Sequence, residues 1–548
     1  MCGIFALLNY AGYAMDFMIE QSNKGSSRGP ENSSVKTIPS NQVFLGFHRL
    51  AINGLNTESN QPFDIENIIL ICNGEIYNYK ALYSQMNTQP TTDSDCEAII
   101  YCYLKYGIDY TLQMLDGVFA FILYDVRLNK IYVARDPFGV RPVFIMNDTS
   151  TDAIGFASEM KQLTAFSSNI EQLTPGHYSE YTYSFHKNAP NYWELNKKVC
   201  YHRLPFYRQI VPPVYGEDAY LGKIKRAFKQ AVKKRVETSD RPIACLLSGG
   251  LDSSLVCALV SKYLKTRLKT FSIGLLGSED LKYARKVAKF LNTDHTEIVV
   301  TEEDFFNAIP EVIYAIESYD TTSVRASVGN YLLGKYIKAN TDCKVIFNGD
   351  GSDELTGGYL YFHKSPNRLE FDRECRRLLS NIYLFDVLRS DRCISTHGLE
   401  PRTPFLDRSW VDFYLSIPIE YRAHNENGQC EKYLLRKAFD GYLPDEVLWR
   451  KKEAFSDGVS SLQKSWYQII QERIENLPAT ELNAMFDFIQ NRCNTAHNPP
   501  VTNEQKYYRY LFEKNYKNCE HIIPYFWMPK YVQATDASAR TLNIYKDK

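Results

Sequence analysis

The second residue of the chain is a cysteine, and its position allows chemistry that an internal cysteine cannot perform. Once Met1 is excised, the thiol and the free α-amine of Cys2 belong to one residue. An α-amine titrates near pH ~8, whereas a lysine titrates near ~10.4, so part of the amine is neutral at physiological pH and can accept the thiol proton. Cys2 is therefore a candidate nucleophile with its own base, although a cysteine at this position has no function in most proteins.

Three further segments contain the groups that hydrolysis of an amide requires. Asn73 offers a side-chain amide and Gly74 a backbone N–H for an oxyanion. Arg49 offers a cation for a carboxylate, and Asp95 offers an anion for an ammonium group. Each has an ordinary alternative, because Asn-Gly after an apolar run is typical of a tight hairpin turn and single charged residues usually lie on the surface.

The segment Ser-Gly-Gly-Leu-Asp-Ser-Ser at residues 248–254 follows the apolar run Ile243–Leu247 and precedes a helical pattern. Glycine lets the backbone approach phosphate closely, while the N–H groups of the next helix and the serine hydroxyls donate hydrogen bonds to an anion. The segment therefore predicts a pyrophosphate-binding loop. It is not a Walker A loop, because it contains no Gly-Lys-Ser or Gly-Lys-Thr.

Two other strand ends complete a candidate nucleotide site. The strand around Ile273 and the strand before residues 348–354 should end at the same sheet edge, where ligands of open α/β sheets bind. Ile273 is expected to approach adenine through its backbone, and Asp252 and Asp353 are short carboxylates suited to Mg²⁺ beside phosphate oxygens. The alternative for residues 348–354 is an acidic, glycine-rich loop that is merely solvated.

The elements that must position these groups differ between the two halves of the chain. Residues 1–184 contain short apolar or alternating runs separated by turn residues, which predicts a β-rich layered structure. The runs are Val43–Phe47, Ile68–Cys72, Val118–Tyr124, Lys130–Ala134 and Ala153–Ala157. Around residues 184–215 the pattern becomes irregular, and we place the domain junction there. This stretch contains the prolines Pro190, Pro205, Pro212 and Pro213.

After the junction, strand and helix patterns alternate, which predicts an α/β domain with a parallel sheet. The strand patterns are Ile243–Leu247, Thr270–Leu275 and Val345–Phe347. The helical patterns lie near residues 217–236, from about Ser254, and at Ala284–Leu291, Val328–Ala339 and Lys432–Phe439.

The composition favours a soluble cytoplasmic protein that binds small molecules. At 548 residues, the chain is long enough for at least two hydrophobic cores. Its 63 basic and 64 acidic residues nearly cancel, which argues against nucleic acid or an anionic membrane as a partner. The longest apolar runs fall short of the ~18 residues that span a bilayer, and we find no secretory signal at the N-terminus. Thirteen cysteines without a C-x-x-C pair suit reduced thiols.

Residues 1–184 resemble the N-terminal-nucleophile glutaminase domain of class II glutamine amidotransferases, because Cys2, Arg49, Asn73-Gly74-Glu75 and Asp95 fall at that family's spacing. The resemblance implies layered antiparallel β-sheets flanked by helices. It also implies Cys2 as the thiolate nucleophile, with Asn73 and Gly74 as the oxyanion hole. The implied glutamine-binding residues are Arg49 at the α-carboxylate, Glu75 and Asp95 at the α-ammonium, Asn73 and Gly74 at the amide, and Leu50, Ala51, Ile52 and Asn53 along the pocket.

The loop at residues 248–254 resembles the pyrophosphate loop of AMP-forming ATP pyrophosphatases, which activate a carboxylate as an adenylate. The resemblance implies an α/β parallel-sheet domain with extra helices, and cleavage of ATP between its α and β phosphates. It also implies that Asp252 and Asp353 bind Mg²⁺. The implied ATP-binding residues are Leu247, Ser248, Gly249, Gly250, Asp252, Ser253, Ser254, Ile273, Asn348 and Gly349.

A class II glutaminase followed by an ATP pyrophosphatase is the combination found in asparagine synthetases, and the similarity continues through nearly the whole chain. The long stretches 317–327, 357–364 and 449–458 support it, and residues 527–530 and 537–542 look like the eukaryotic branch. The resemblance implies ATP-dependent synthesis of asparagine from aspartate and glutamine through β-aspartyl-AMP, with release of glutamate, AMP and pyrophosphate.

By the same resemblance, Thr322 and Arg325 would hold aspartate, and Lys452 would neutralise charge that develops on the α-phosphate. The residue types suit these roles, because arginine contacts a carboxylate through two N–H groups and lysine is a compact charge for phosphate. Without the family, Lys452 would be read as one of four consecutive charged residues on a solvated face. An internal ammonia passage is also implied, since free ammonia would protonate and escape.

Two segments depart from the family patterns. Residues 26–31 read Ser-Ser-Arg-Gly-Pro-Glu where the family usually reads Arg-His-Arg-Gly-Pro-Asp. Residues 348–354 read Asn-Gly-Asp-Gly-Ser-Asp-Glu where asparagine synthetases usually read Ser-Gly-Glu-Gly-Ser-Asp-Glu. The family links the carboxylate at the position of Asp350 to adenylate formation. Because aspartate is one methylene shorter than glutamate, we expect an adjusted loop in which Asn348 replaces the smaller serine and Asp350 remains catalytic.

The resulting domain assignment is a glutaminase domain at residues 2–184, a connecting segment at 185–215, a synthetase domain at 216–535 and a C-terminal tail at 536–548. The expected partners are glutamine, aspartate and ATP. Neither nucleic acid nor a membrane is expected, and a homodimer is left open.

Three other functions would require residues or domains that differ from those of this chain. A β-lactam-forming relative of asparagine synthetase is expected to lack the glutaminase cysteine, which this chain retains. An amidotransferase acting on phosphoribosyl pyrophosphate or fructose phosphate would carry a sugar-phosphate domain in place of the 248–254 loop. A non-enzymatic sensor with dead sites would have lost Cys2, Asp252 or Lys452, and all three are present.

Overall fold

The computed structural model describes residues 1–184, 191–206, 215–426, 428–492 and 497–546. Part of the predicted junction, including Pro190, Pro212 and Pro213, lies outside the described residues, as do the last two residues of the predicted tail. None of the helices in the described part of the chain has the length and apolar character that crossing a bilayer requires.

Two antiparallel sheets make up the amino-terminal half, counted over its described residues. Their strands are β1 (Gly3–Leu8), β2 (Asn32–Ile38), β3 (Val43–Arg49), β4 (Phe63–Ile65), β5 (Ile68–Ile76), β6 (Gly117–Asp125), β7 (Lys130–Arg135), β8 (Phe144–Asp148), β9 (Ala153–Ala157), β10 (Ile170–Gln172), β11 (His177–Ser184) and β12 (Tyr192–Cys200). One sheet has the order β10-β8-β9-β1-β3-β2, and the other has the order β12-β11-β7-β6-β5-β4. The helices of this half are α1 (Met15–Asn23), α2 (Tyr79–Met86) and α3 (Ala98–Met114), the last of which is interrupted at Gly107.

The two sheets face each other through alternating buried residues. Ile4, Ala6 and Leu8 of β1 share one hydrophobic cluster with Ile71 of β5 and Ile122 of β6. The opposite face of β5 packs against α2 and α3, and the opposite face of β1 packs against α1. Successive side chains of each strand point to opposite faces, so they pack alternately against the other sheet and against the helices. The predicted layered antiparallel fold flanked by helices is confirmed.

Asn73 and Gly74 lie within a strand and not in a turn. Both belong to β5, where they pair with Ala120 and Phe119 of β6. The hairpin-turn alternative for this Asn-Gly pair is therefore wrong, and β5 continues to Ile76. The strand carries these two residues to the edge of the domain that meets the carboxy-terminal half.

The parallel sheet of the carboxy-terminal half has the order β15-β14-β13-β16-β17. Its strands are β13 (Ile243–Leu246), β14 (Lys269–Leu275), β15 (Asp294–Val300), β16 (Val345–Phe347) and β17 (Glu400–Arg402). The chain builds outward from β13 to β15 on one side and then crosses to β16 and β17 on the other. The strand order therefore reverses between β13 and β16, and ligands of open α/β sheets bind in the crevice at such a point.

Helices surround this sheet and fill the remainder of the domain, which confirms the predicted α/β architecture. They are α4 (Glu217–Glu237), α5 (Leu251–Tyr263), α6 (Glu279–Leu291), α7 (Glu302–Asn307), α8 (Ile309–Ile316), α9 (Thr321–Asn340), α10 (Ser352–Thr356), α11 (Arg368–Asn381), α12 (Asp386–Ser395), α13 (Arg408–Ser416), α14 (Ile419–Arg422), α15 (Tyr433–Ala438), α16 (Asp445–Leu448), α17 (Phe455–Gly458), α18 (Trp466–Glu475), α19 (Ala479–Arg492), α20 (Asn503–Asn515) and α21 (Asn543–Lys546).

The stretch predicted as a connecting segment contains a strand. β12 pairs with β11 at the edge of its sheet, and buried Trp193 within it donates its backbone N–H to Asn9 Oδ1 at 2.8 Å. An edge strand leaves one row of backbone groups unpaired, so prolines near its ends cost few ladder hydrogen bonds. The amino-terminal sheet therefore extends beyond residue 184.

An aromatic cluster supports α4 against the parallel-sheet domain. The ring of fully buried Phe228 lies 4.2 Å from that of Phe405 and 5.0 Å from that of Trp410, measured between centroids. We expect Phe228→Ala to lower the free energy of unfolding of this domain by about 3–5 kcal/mol, because the substitution leaves a cavity that the rigid rings cannot fill. The measurement is chemical or thermal unfolding. Phe290→Ala is the matched control, because Phe290 is 54% exposed and its loss should change stability by less than about 0.5 kcal/mol.

Candidate functional site

The predicted pyrophosphate loop connects β13 to α5 at the carboxyl edge of the parallel sheet. Gly249 has a φ of 74°, and a Cβ at this position would overlap the backbone of Ala284 in α6. Glycine is therefore required by both the conformation and the space. The hydroxyl oxygens of Ser248 and Ser253 lie 2.9 Å apart, and Ser253 Oγ also accepts the backbone N–H of Ser248 at 3.2 Å. The loop leads into the N-terminus of α5, whose free N–H groups and dipole favour an anion.

A cavity of about 1250 Å³, including the space at its mouth, opens at this edge of the sheet. It lies at the crevice between β13 and β16, where the strand order reverses. The predicted site residues along its wall are Leu247, Ser248, Gly250, Asp252, Ser253, Ile273, Thr322, Asn348, Gly349, Asp350, Asp353 and Lys452. Three predicted residues are not part of this wall: Gly249 packs against α6, Ser254 is fully buried in α5, and Arg325 is turned into other contacts.

Two lysines join the two carboxylates that were predicted to bind magnesium. Lys432 Nζ lies 2.5 Å from Asp252 Oδ2 and 2.7 Å from Asp353 Oδ1. Lys452 Nζ lies 2.6 Å from Asp353 Oδ2 and 3.9 Å from Asp252 Oδ2. Although burial favours the neutral form, the two lysines lower the pKa of Asp353 well below its ordinary value. Lys432 was not identified from the sequence, because a lysine 180 residues from Asp252 carries no motif that links the two.

Asp350 is held in place by contacts between its loop and helix α12. Its Oδ1 accepts Arg389 Nη2 at 2.9 Å, and Asn348 Nδ2 donates to Ser390 Oγ at 2.7 Å, so two residues of the loop are fixed to α12. Asn348 Oδ1 also accepts the backbone N–H of Asp350 at 3.3 Å. Burial raises the pKa of Asp350, and Arg389 acts against that rise. The amide of Asn348 thus contacts both α12 and the backbone of its own loop.

Of the two residues predicted to hold aspartate, only Thr322 reaches the cavity. Its hydroxyl is buried and has no hydrogen-bond partner within the described residues. Arg325 is buried and contacts two carboxylates: Nε donates to Glu504 Oε1 at 2.8 Å, and Nη1 donates to Asp536 Oδ1 at 2.7 Å. Its role toward aspartate stays a prediction.

Residues of the predicted tail contact the segment that follows Lys452. Arg540 Nε donates to Glu453 Oε1 at 2.6 Å, and Ser538 Oγ donates to Asp457 Oδ1 at 2.6 Å. Tyr545 also donates to Glu453, at 2.8 Å. Because Glu453 is the next residue after Lys452, these contacts connect the predicted tail to the loop that carries Lys452.

The candidate nucleophile lies in the other half of the chain, at the start of the central strand β1. The backbone nitrogen of Cys2 donates to Asn73 Oδ1 at 3.1 Å, and its thiol lies 3.7 Å from the carbonyl oxygen of Leu50. The Nδ2 group of Asn73 is buried without a hydrogen-bond partner in the part of the chain that the structure describes. Burial raises the pKa of the Cys2 thiol. The α-ammonium of buried Met1 lies 3.8 Å from Glu400 Oε2.

Two buried carboxylates lie beside this group. Glu75 accepts the side-chain amide of Asn53 and forms an ion pair of 3.2 Å with Arg402, which belongs to β17 of the other half. Asp95 Oδ2 accepts the backbone N–H of Ile76 at 2.6 Å. Burial raises the pKa of Asp95 to about 6 and raises the pKa of Glu75 well above its ordinary value. A bound ammonium group would stabilise the charged form of both carboxylates.

Arg49 and residues 50–53 form one side of the same region. Arg49 Nη1 donates to the carbonyl oxygen of Asn56 at 2.8 Å and to Asn60 Oδ1 at 2.7 Å. Glu31, in the segment that departs from the family pattern, accepts the backbone N–H of Ala51 at 2.7 Å and pairs with Arg241 at 2.9 Å. The carboxylate at residue 31 therefore fixes the 50–53 segment and links it to the loop before β13.

The structure thus brings the predicted residues together in two groups, one around Cys2 and one around the cavity. The residues between these groups, including Glu400 and Arg402 of β17, were not identified from the sequence. A three-residue strand that contains Pro401 has no recognisable strand pattern, so nothing in the sequence marked it as a place where the two groups meet.

Comparisons with known proteins agree with this division. Residues 1–198 match the family described as glutamine amidotransferase domain, and residues 223–371 and 364–493 match the family described as asparagine synthase. The chain is 41% identical over 570 residues to the glutamine-hydrolyzing asparagine synthetase of Gallus gallus, covering 100% of this chain and 99% of that protein. It is 41% identical over 569 residues to the Homo sapiens protein of the same name, with the same coverage.

The buried acid Asp280 makes the stability of the cavity wall depend on pH. Its Oδ1 accepts Arg450 Nη2 at 3.3 Å, and burial raises its pKa from 3.8 to about 7 despite Arg450. Between pH 3.8 and about pH 7, the folded chain binds more protons at Asp280 than the unfolded chain does. The free energy of unfolding therefore falls as pH rises through this range.

We therefore expect Asp280→Asn to reduce the loss of thermal stability between pH 5 and pH 8, because the amide does not ionise. Unfolding midpoints at several pH values measure this effect. Asp294→Asn is the control, because Asp294 is exposed and its replacement should leave the pH profile unchanged. An unchanged profile for Asp280→Asn would contradict the assignment.

Proposed function

This chain belongs to the glutamine-hydrolysing asparagine synthetases. We propose that the two steps of that family's reaction are divided between the residues around Cys2 and the residues around the cavity. The chain is a ligase that uses ATP to amidate aspartate with nitrogen from glutamine. The amidotransferase domain hydrolyses glutamine at Cys2, and the synthetase domain activates aspartate in the cavity at the edge of the parallel sheet. The observation that carries the proposal is the placement of Cys2 beside Asn73, whose Nδ2 has no hydrogen-bond partner among the described residues, in a different domain from the cavity.

Cys2 attacks the side-chain amide carbon of glutamine. A base is needed because burial raises the pKa of the thiol, and the α-amine exposed on excision of Met1 is the base on the same residue. This α-amine nitrogen is the backbone nitrogen of Cys2, which donates to Asn73 Oδ1 while Met1 is still attached. Asn73 Nδ2 and the Gly74 N–H stabilise the oxyanion, the amine returns the proton to the leaving ammonia, and water hydrolyses the thioester to glutamate.

The remaining residues of this domain bind the amino-acid end of glutamine. Glu75 and Asp95 take the α-ammonium, which would restore the charge that burial disfavours. Arg49 takes the α-carboxylate, exchanging contacts with loop carbonyls for a stronger, charge-assisted one. Residues 50–53 close the side of the pocket.

The synthetase domain forms an acyl adenylate. A β-carboxylate oxygen of aspartate attacks the α-phosphorus of ATP, the bond to the β-phosphate breaks, and pyrophosphate leaves. Ammonia then attacks the β-carbonyl carbon of β-aspartyl-AMP, and AMP leaves with formation of asparagine. The 248–254 loop holds the pyrophosphate, Lys452 neutralises charge on the α-phosphate, and Asp350 supports adenylate formation. Thr322 and Arg325 hold the aspartate.

The residues at the cavity suit Mg²⁺ as a partner of ATP. The described residues contain no group of three or more side chains placed to bind a metal ion by themselves. Mg²⁺ is commonly held by one or two carboxylates together with substrate phosphates and water, which matches Asp252 and Asp353 beside a phosphate loop. Bound there, it would offset the charge of the phosphates. Lys432 and Lys452, which now balance the two aspartates, would then be free to contact phosphate oxygens.

We further propose that the protein works in the cytoplasm on these small molecules, without nucleic acid or membrane, in one copy or as a homodimer. The near balance of acidic and basic residues supports the absence of nucleic acid and of an anionic membrane as partners.

The proposal is tested by supplying amide-labelled glutamine, aspartate, Mg²⁺ and ATP. We expect labelled asparagine together with equal amounts of AMP and pyrophosphate, detected by mass spectrometry and nucleotide chromatography. Cys2→Ala should abolish this glutamine-dependent synthesis but retain synthesis from added ammonia, because the adenylating residues lie in the other domain. Release of ADP in place of AMP, or equal loss of both activities in Cys2→Ala, would contradict the proposal.

Asp350 provides a second test, on the synthetase side. We expect Asp350→Asn to lower ammonia-dependent asparagine synthesis by on the order of 100-fold or more, because the neutral amide cannot form an ion pair with Arg389 and holds the loop less firmly. Asp350→Glu should be tolerated or mildly impaired, because Asn348 already fixes the loop for the shorter side chain. Glutamine hydrolysis by the same variants is the internal control and should stay unchanged. Normal synthesis by Asp350→Asn would show that the carboxylate is dispensable.

A further inference from the structure

Helix α12 lies between the two groups of residues and contacts both. Asp386 and Arg389 are three residues apart and share one face, which is turned toward the cavity and Asp350. Asp391 and Ser395 are four residues apart and share another face. Because two residues advance the helix by roughly 200°, Arg389 and Asp391 point in nearly opposite directions. Residues 387–395 of the helix are all buried, so its position is fixed by packing on every side.

Arg28 of the amidotransferase domain connects the second face to the nucleophile. Its Nε donates to the backbone carbonyl oxygen of Cys2 at 3.0 Å. The other edge of the same guanidinium donates to Asp391 at 2.8 Å and 3.3 Å, and to Ser395 Oγ at 2.9 Å. Arg28 is fully buried, and Asp391 is 2% exposed. One rigid, planar group therefore spans the gap between the peptide of Cys2 and a helix of the other domain.

This contact combines opposite charges with a fixed geometry. Two parallel N–H donors on one carboxylate fix both distance and orientation, which a single hydrogen bond does not do. Burial removes the competing water, so a guanidinium that loses Asp391 here also loses most of its charge compensation. Glu159 of the same domain as Arg28 also lies 3.4 Å from Nη1, but this distance is longer and involves one oxygen only.

We propose that Arg28 and Asp391 are positioning residues for Cys2, so that the nucleophile of the amidotransferase domain is held in its reactive position from the synthetase domain. The inference rests on the proposed role of Cys2 as nucleophile. Neither residue touches the reacting atoms; Arg28 acts through the Cys2 peptide, and Asp391 acts through Arg28. Because Asp391 and Arg389 belong to one helix, the same element fixes both the nucleophile and the loop of Asp350.

The test is the rate of glutamine hydrolysis by Asp391→Asn, which keeps the shape of the side chain and removes its charge. We expect kcat to fall by on the order of tenfold, with KM for glutamine within about twofold, because a displaced nucleophile reacts slowly while the binding groups stay in place. Ammonia-dependent synthesis should be retained. Arg28→Lys should give the same pattern, since one ammonium cannot reach both the Cys2 carbonyl and Asp391 in the geometry of a guanidinium.

Asp372→Asn is the matched control. Asp372 is also buried in the synthetase domain and pairs with an arginine, Arg422, at 2.6 Å, but it makes no contact with Arg28 or Cys2 in the structure. It should lower thermal stability without changing kcat for glutamine hydrolysis. The double variant of Arg28→Lys and Asp391→Asn should be no slower than the slower single variant, because both act through one contact.

Two results would overturn the inference: a normal kcat for folded Asp391→Asn, or an equal loss of glutamine hydrolysis and ammonia-dependent synthesis. Cys2→Ala, assayed in parallel, separates this inference from the proposal beneath it. If Cys2→Ala still hydrolyses glutamine, the proposed nucleophile is wrong. If it does not, and Asp391→Asn is normal, only the positioning role fails.

Discussion

Buried arginine–carboxylate pairs between the two domains are the constraint on which the rest of the structure depends. Arg28 pairs with Asp391, Arg402 pairs with Glu75, and Arg141 pairs with Glu400 across the interface. Removing one partner of such a pair costs about 3–5 kcal/mol, since the other charge remains buried. A shifted arrangement of the domains would leave several charges unpaired at once. The pairs therefore select one docking arrangement, and both groups of site residues are defined only in that arrangement.

The same constraint explains why the region proposed to bind glutamine is not a property of the amidotransferase domain alone. Glu75 lies in β5, but its cationic partner Arg402 lies in β17 of the synthetase sheet. Burial raises the pKa of Glu75 and so favours its neutral form, Arg402 acts against that rise, and a neutral carboxyl group binds an ammonium poorly. Backbone contacts continue this connection, because the N–H of Asn348 donates to the carbonyl oxygen of Arg402 at 3.1 Å. The edge of the parallel sheet thus supports residues of both domains.

On the cavity side, charge balance determines which residues face inward. Lys432 and Lys452 compensate Asp252 and Asp353, and Arg389 compensates Asp350. Arg325 does not face the cavity, because its guanidinium pairs with Glu504 and Asp536. These ion pairs connect the C-terminal segment to α9. That segment in turn holds Glu453 beside Lys452. A tail that carries no motif for chemistry is therefore part of the support of the cavity loop.

The sequence by itself determined the local features. Alternating apolar runs defined the strands of the first domain, since burial of one face needs a period of two. The change to alternating strands and helices defined the parallel sheet. The motifs at residues 2, 49, 73–75, 95 and 248–254 marked the residues that belong to the family, because each uses residue types that its chemistry requires. The position of Asn73-Gly74 inside β5 was decided by pairing with β6, which no local pattern shows.

Only the tertiary structure decided which charges meet. Lys432 reaches Asp252 across 180 residues, and Arg28 reaches Asp391 across 363 residues. A buried charge is stable only with its partner, yet a lysine or arginine in a sequence looks the same whether its partner is solvent or a distant carboxylate. The sequence therefore predicted candidate reacting groups, and the packing of β17 and α12 decided how they are held, because long-range electrostatic pairing depends on the completed fold.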